Sequence, residues 1–323
     1  MSDVAVSKRL RHLAEFGAVR ATTVLTRLLP WAAVRGLGAA LGFVFYVLDR
    51  RHRRIALANL AAAFPRKSDA ERHALVRRVF AHFGHLLFGL LRCASLTRDQ
   101  LLQRIEFDGE EHIRQAHRDG RGALLVTGHF GFWEVHALAH GAALYPLGLL
   151  ARPLDNPYLH TLLENLRGST GNHVIYRKGA LRRVLRALGA NQGVAILIDQ
   201  HMQAPDAVMV NFFDRPASTT LSVGMLALRT GAPVIPAFAL PLPGGRFRCT
   251  YEHPVDPPKD DSPEAIRDFT QRCTDVLEMY VRRNPELWLW MHRRWRDVPV
   301  GDGPGMFPEA AREEAVGPGH EGA

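Results

Sequence analysis

Residues 124–140 read LLVTGHFGFWEVHALAH: an apolar run stops at Thr127, Gly128 and Gly131 bracket His129, and Glu134 opens a stretch with helical spacing. That order reads as strand, tight turn and helix. The glycines permit a sharp turn and a close approach of a ligand to the backbone. In an open α/β sheet, sites are built outside the carboxyl ends of the strands, where the chain turns into a helix, and His129 sits there. Glu134 falls in the first helical turn, where the helix dipole favours a carboxylate.

The same alternation continues on both sides. Apolar runs at 122–127, 146–151, 173–177, 193–198, 233–240 and 246–253 read as strands. Helical periodicity fills 132–143, 156–169, 179–190 and 219–230, with a longer helix over 262–283. Strands alternating with helices predict an α/β fold: a mostly parallel, helix-flanked sheet. The last two strands, joined through PLPGG, predict an antiparallel hairpin at one edge. Upstream helices over 8–27 and 68–92 form an N-terminal helical layer packed on the sheet. The expected division is a helical, membrane-associating region over 1–105, an α/β domain over 106–299, and a Gly-, Pro- and Glu-rich tail over 300–323 that is disordered. No internal repeat is visible.

The chain has 323 residues and 47% hydrophobic content, enough for a sizeable core. Cys93, Cys249 and Cys273 are far apart, in no C-x-x-C pattern, and predict neither a disulfide framework nor a zinc knuckle. The formal charge is +9, and residues 300–323 carry five acids against Arg312 alone, which leaves +13 on the body. Such a body favours an acidic partner: anionic lipid, an acidic carrier protein or nucleic acid. The arginine clusters DRRHRRIALANL, LRRVLR and MHRRWR lack interleaved stacking aromatics and any finger pattern, so no nucleic-acid partner is expected.

The start, MSDVAVSKRLRHLAEFG, has no apolar core followed by a cleavage site, so no secretory signal is expected. Residues 28–48 are long enough to approach a membrane span, but Pro30 and Arg35 interrupt them. DRRHRR follows at once, placing cations where lipid phosphates would lie. The expectation is a segment that dips into or lies on the cytoplasmic leaflet; the other reading is a buried amphipathic helix with a solvated basic end.

His129 and Glu134 admit two readings. In one, the turn folds the imidazole onto the carboxylate, which fixes the tautomer and leaves the second ring nitrogen free to take a proton from a hydroxyl. In the other, Glu134 is a helix-start acid and His129 a loop residue satisfied by backbone. His136 and His140 share a helical face but lack the glutamate of H-E-x-x-H, so no metal site is expected, and a zinc hydrolase is the weaker alternative. No G-x-S-x-G elbow is present, which favours direct attack by an acceptor hydroxyl.

GHFGFWE resembles the H-x4-D/E motif of the glycerolipid acyltransferase superfamily, and more closely the GHFGNWE form of the bacterial lipid A late acyltransferases, the lauroyl and myristoyl transferases. RRIALANLAAAFP, the run from Arg152 through Asn156–Pro157 and Arg167 to Asp199–Gln200, VNFFDRPASTT and NPELWLWMHRRWR also resemble segments of that family, in order, over about residues 50–297. The resemblance implies that His129 is the general base with Glu134 as its partner, and that Arg152, Arg167, Asp199, Gln200, Gly131 and Phe132 line the substrate site. From the residues alone, Arg152 and Arg167 read equally as surface cations and Asp199–Gln200 as a turn cap. The resemblance further implies an acyl thioester on acyl carrier protein or coenzyme A as co-substrate and no resident cofactor. It implies a lipid A precursor as acceptor, and a place on the cytoplasmic face of the bacterial inner membrane. A lysophospholipid or other glycolipid acceptor, and a nonenzymatic membrane-binding scaffold, are the alternatives. Phe132 stands where the family motif often has Asn, and Asp214 where FFG is usual; both departures are expected near the site and bear on substrate preference. PASTT, leading into the helix predicted from 219, reads as a cap or as backbone offered to an anion.

Overall fold

The computed structural model describes residues 3–176, 179–203 and 205–296; the tail predicted to be disordered lies outside the described residues. Four helices come first, α1 (Asp3–Leu28), α2 (Trp31–Leu48), α3 (Arg50–Ala63) and α4 (Asp69–Cys93), followed by the short α5 (Arg98–Leu102). The chain then runs β1 (Ile105–Asp108), α6 (Glu110–Arg118), β2 (Ala123–Thr127), α7 (Trp133–Ala143), β3 (Leu147–Ala151), α8 (Pro157–Gly168) and β4 (His173–Tyr176). It continues through α9 (Ala180–Gly189), β5 (Gly193–Leu197), β6 (Ala207–Asn211), β7 (Pro216–Thr220), α10 (Ser222–Thr230), β8 (Val234–Leu242), β9 (Arg246–Tyr251) and α11 (Pro263–Arg283).

Seven strands form one sheet in the order β1-β9-β8-β2-β5-β3-β4, parallel at every pairing except β8 with β9. The expected antiparallel hairpin is present, but it is not at the edge. β1 pairs outside it, parallel to β9, with Phe107 opposite Cys249. Both faces are covered. Leu124 and Val126 of β2 join a cluster with Leu60 of α3, Val76 and Phe80 of α4, and Leu277 of α11. Leu125 points the other way, into a cluster with Ile113 of α6, Leu147 and Tyr251. A strand covered on both faces reads as an unbroken apolar run, which is what LLVT is.

The upstream helices pack on the sheet, as predicted, through α3 and α4 in that first cluster. Ser68 and Glu71 cap the start of α4 reciprocally. α2 is continuous across Arg35, with Pro30 just ahead of its first turn. It meets α4 where a Cβ on Gly42 would lie 2.3 Å from the Phe80 carbonyl oxygen and one on Gly38 2.8 Å from that of Gly84. Backbone contact this close needs small residues spaced by four, as in GAALG. Both α2 and α4 are long and apolar enough to cross a membrane, yet more than half of α4 is buried in the fold, while α2 leaves Phe43, Phe45 and Leu48 exposed.

The PASTT expectation is corrected. Residues 216–220 are β7, paired antiparallel with β6, and the helix begins only at Ser222 without a side-chain cap. Phe213 and Asp214 link the two strands at φ 56° and 58°, the geometry of a type I′ turn. Asp214 therefore stands at a turn position that suits glycine, and its side chain is exposed beside Arg282. Hairpin geometry therefore accounts for that departure.

Candidate active site

The adjacent parallel strands β2 and β5 end in register, Thr127 opposite Leu197. Two residues beyond each end stand His129 and Asp199, and the Ile198 N–H bonds to the Thr127 carbonyl at 2.9 Å to keep the two exits side by side. His129 Nδ1 donates to Asp199 Oδ1 at 2.8 Å, and the His129 backbone N–H donates to Oδ2 at 2.7 Å. The indole Nε1–H of Trp288 donates to Oδ2 at 2.8 Å. A side chain at residue 128 would press on Asp199 Oδ2 at 3.0 Å, so Gly128 leaves room for the carboxylate.

The carboxylate on the imidazole is thus Asp199, not Glu134. Glu134, in the first turn of α7, is held by Arg167 of α8 in a bidentate pair, Nε to Oε2 at 3.0 Å and Nη2 to Oε1 at 2.5 Å. Both side chains are largely buried, which sets aside the solvated reading of Arg167. The physical reason is direction: α7 carries Glu134 towards α8, whereas the loop after β2 turns His129 towards β5. Glu134 still acts on the ring at a distance. Burial pulls the His129 pKa down, and the charge and hydrogen bond of Asp199, with the more distant charge of Glu134, reverse that and leave it above the ordinary histidine value. Burial pushes Asp199 up, but His129 and the three donated hydrogen bonds hold it well below the usual carboxylate range.

With Nδ1–H on Asp199, Nε2 carries the free lone pair. The Gln200 amide nitrogen lies 3.4 Å from it, a long contact that a substrate hydroxyl can replace. Arg152 follows β3 at the same edge of the sheet, two strands from His129, and is exposed. Gly131 has φ 60°, and a Cβ there would lie 2.1 Å from the Ala239 carbonyl oxygen, so the turn crosses β8 at backbone contact. Its N–H bonds the Leu287 carbonyl at 2.9 Å and its carbonyl accepts from His82 Nε2 at 3.2 Å. Phe132 is buried against Phe247, ring centroids 4.8 Å apart, and lines a cavity of about 840 Å³ with Trp31, Val34, Ala39 and Gly89. At the N-cap of α7 it offers no side-chain hydrogen bond, so the first-turn N–H groups have no side-chain cap.

The His129 loop is stitched to the chain beyond α11. Leu289 N–H donates to the His129 carbonyl at 3.1 Å, and Phe130 and Trp288 form an antiparallel bridge. Asn59 of α3 holds that segment in turn, its amide donating to the carbonyls of Trp290 and His292, each at 2.8 Å. Arg294, fully buried, reaches the Gln200 and Ser218 carbonyls and the Thr219 hydroxyl. His136 and His140 are buried in α7, where His140 Nδ1 pairs with the Tyr251 hydroxyl at 2.9 Å.

A family model for bacterial lipid A biosynthesis acyltransferases matches residues 4–297. The chain belongs to that family. It is 30% identical over 279 residues to the lipid A biosynthesis lauroyltransferase of Escherichia coli K12, an alignment covering 84% of this chain and 88% of the relative. The lipid A biosynthesis myristoyltransferase of the same organism is 24% identical over 245 residues, 76% of this chain and 75% of the relative. A phosphatidylinositol mannoside acyltransferase of Mycolicibacterium smegmatis is 21% identical over 230 residues, 68% of this chain and 72% of the relative. Membership in the lipid A acyltransferase family makes this chain an acyltransferase acting on a lipid acceptor, and displaces both the hydrolase and the nonenzymatic readings. The Asp199–His129 contact was not visible in the spacing that carries the family motif, because its two partners lie 70 residues apart. The available signal was that TGH and LID each place a polar residue just past an apolar strand.

Proposed function

We propose that this acyltransferase moves a fatty acyl chain from a thioester to a hydroxyl of a lipid A precursor at the cytoplasmic face of the inner membrane. The observation that carries the reading is an imidazole oriented by Asp199 at the carboxyl edge of the sheet, close to the turn whose Phe132 walls an apolar cavity. In that mechanism His129 Nε2 takes the proton of the acceptor hydroxyl as its oxygen attacks the thioester carbonyl. Asp199 keeps Nδ1 protonated and steadies the imidazolium that forms. The tetrahedral oxyanion gains from the uncapped N–H groups opening α7 and from Arg152 at the rim. On collapse the C–S bond breaks, and the imidazolium returns its proton to the departing thiolate. No covalent enzyme intermediate is required. The pair with Arg167 ties the start of α7 to α8, and the Glu134 carboxylate favours the charged form of the ring from a distance.

The donor is read as acyl carrier protein or coenzyme A, both acidic and both suited to a body of charge +13, the +9 of the chain less the −4 of residues 300–323. The apolar flank of α2 beside Arg50, Arg51 and Arg54 supports seating on an anionic leaflet. The test is transfer of labelled acyl groups by purified protein in mixed micelles, from each donor to a lipid A precursor, a mannosylated phosphatidylinositol and a lysophospholipid. Product with the lipid A precursor that vanishes in His129→Ala, with folding retained, is expected. Product only with another acceptor overturns the substrate, and an active His129→Ala overturns the mechanism.

A further inference from the structure

We propose that Trp288 is a positioning residue for the reaction, acting on His129 through Asp199, and that it limits how strongly the carboxylate draws a proton onto the ring. The proposal rests on the acyl-transfer reading only for its kinetic arm. Asp199 is 3% exposed, so each lone pair without a donor is costly, and its two oxygens are differently served. Oδ1 faces the imidazole alone, while Oδ2 takes both the His129 backbone N–H and the Trp288 indole N–H. The backbone donor is fixed by the turn. Among the described residues the indole is the one side chain besides the imidazole that donates to this carboxylate.

Trp288 is itself immobile. It is fully buried, crossed edge-on by Trp290 at 4.7 Å and Phe212 at 5.2 Å, and its backbone bridges Phe130 beside the histidine. A residue needed only to fill that space has no reason to aim its one polar atom at a carboxylate. The other groups facing the pair are Glu134 with Arg167 behind it, His292, which burial holds neutral, and Arg294, whose Nη1 and Nη2 bond backbone carbonyls and the Thr219 hydroxyl while its charge acts on Asp199 from a distance. None of them donates to Asp199 among the described contacts.

Take away the indole N–H and Oδ2 keeps one donor. The carboxylate stays in place, becomes a stronger base, and pulls the imidazole pKa upward. His129 must be neutral at Nε2 to accept a proton, so activity at the acid end then falls. In Trp288→Phe the acidic limb of kcat/KM is expected to move up by about half to one pH unit, a loss of roughly 3–10-fold below the limb. Site-specific replacement of Trp288 by benzothienylalanine keeps the ring's size and removes only the N–H, and should give the same shift even if the phenylalanine variant folds poorly. The His129 ring nitrogen shifts, followed by NMR titration without any substrate, should report the same rise. In an Asp199→Asn background the replacement should move nothing. An unmoved or lowered imidazole pKa in the benzothienylalanine protein, or an equal shift in the Asp199→Asn background, overturns the proposal; absence of acyl transfer in the parent would bear on the reaction alone, since the titration would still read the ring.

Discussion

His129 has two carboxylates within electrostatic reach, and only one touches it. Replacing Asp199 by Asn puts an amide against Nδ1, which destabilises the productive tautomer and the imidazolium; kcat is expected to fall by roughly three to four orders of magnitude. The sign of the pH effect follows from the raised pKa of His129: activity is lost as pH drops through that value, and Asp199→Asn should carry the limb to lower pH. Glu134→Gln leaves the ring's hydrogen bond intact and frees Arg167, so it should lower activity while moving the limb down far less. A pH–rate series on the two variants separates these roles, and equal limb shifts would refute the assignment. The motif singled out His129 and Glu134, but linear spacing could not say which acid meets the ring. That depends on β5 lying next to β2, with β3 and β4 placed outside it.

The elements legible from sequence were those with apolar runs or full helical turns: β2, β3, β4, β5, β8 and β9 in the sheet, α7 to α11 around it. β1 is four residues long, and its partner β9 lies about 140 residues later, so nothing local marks it. The β6–β7 hairpin was hidden because its turn is built from Phe213 and Asp214 rather than from Asn-Gly. Asp214→Gly should therefore alter stability by less than about 1 kcal/mol, relief of the left-handed backbone being offset by the added freedom of glycine. Acyl-chain preference should be unchanged, as read from product analysis. Asn59→Ala is a harsher test: two carbonyls of the segment beyond α11 lose their donor in a buried setting, and about 2–4 kcal/mol of stability should disappear in a denaturant melt.

The molecule as a whole presents an uneven exterior. The exposed ring and aliphatic side chains of Phe43, Phe45 and Leu48 end where Arg50 and Arg51 begin, on a body carrying most of the chain's positive charge. Sedimentation with vesicles containing anionic lipid is expected to weaken steeply from 0.05 to about 0.5 M salt, as screening shortens to a few ångströms. A triple replacement of those apolar residues by serine should remove the salt-resistant remainder without touching the His129 titration. Vesicle binding that ignores both changes would place the membrane contact elsewhere. Composition alone disclosed the charge and the apolar stretch, while the covering of α4 and the exposure of α2 required the helix pair to be seen together.

Trp288, the carbonyl of Leu287 and the N–H of Leu289 reach the His129 turn from a segment that follows the last helix, α11. A ribosome that has made every strand of the sheet has therefore not yet made an enzyme. Clipping after α11 would take Leu287, Trp288, Trp290 and Trp295 out of the main core cluster together with the indole donor to Asp199, so the last stretch to be synthesised serves the packing and the histidine turn at once.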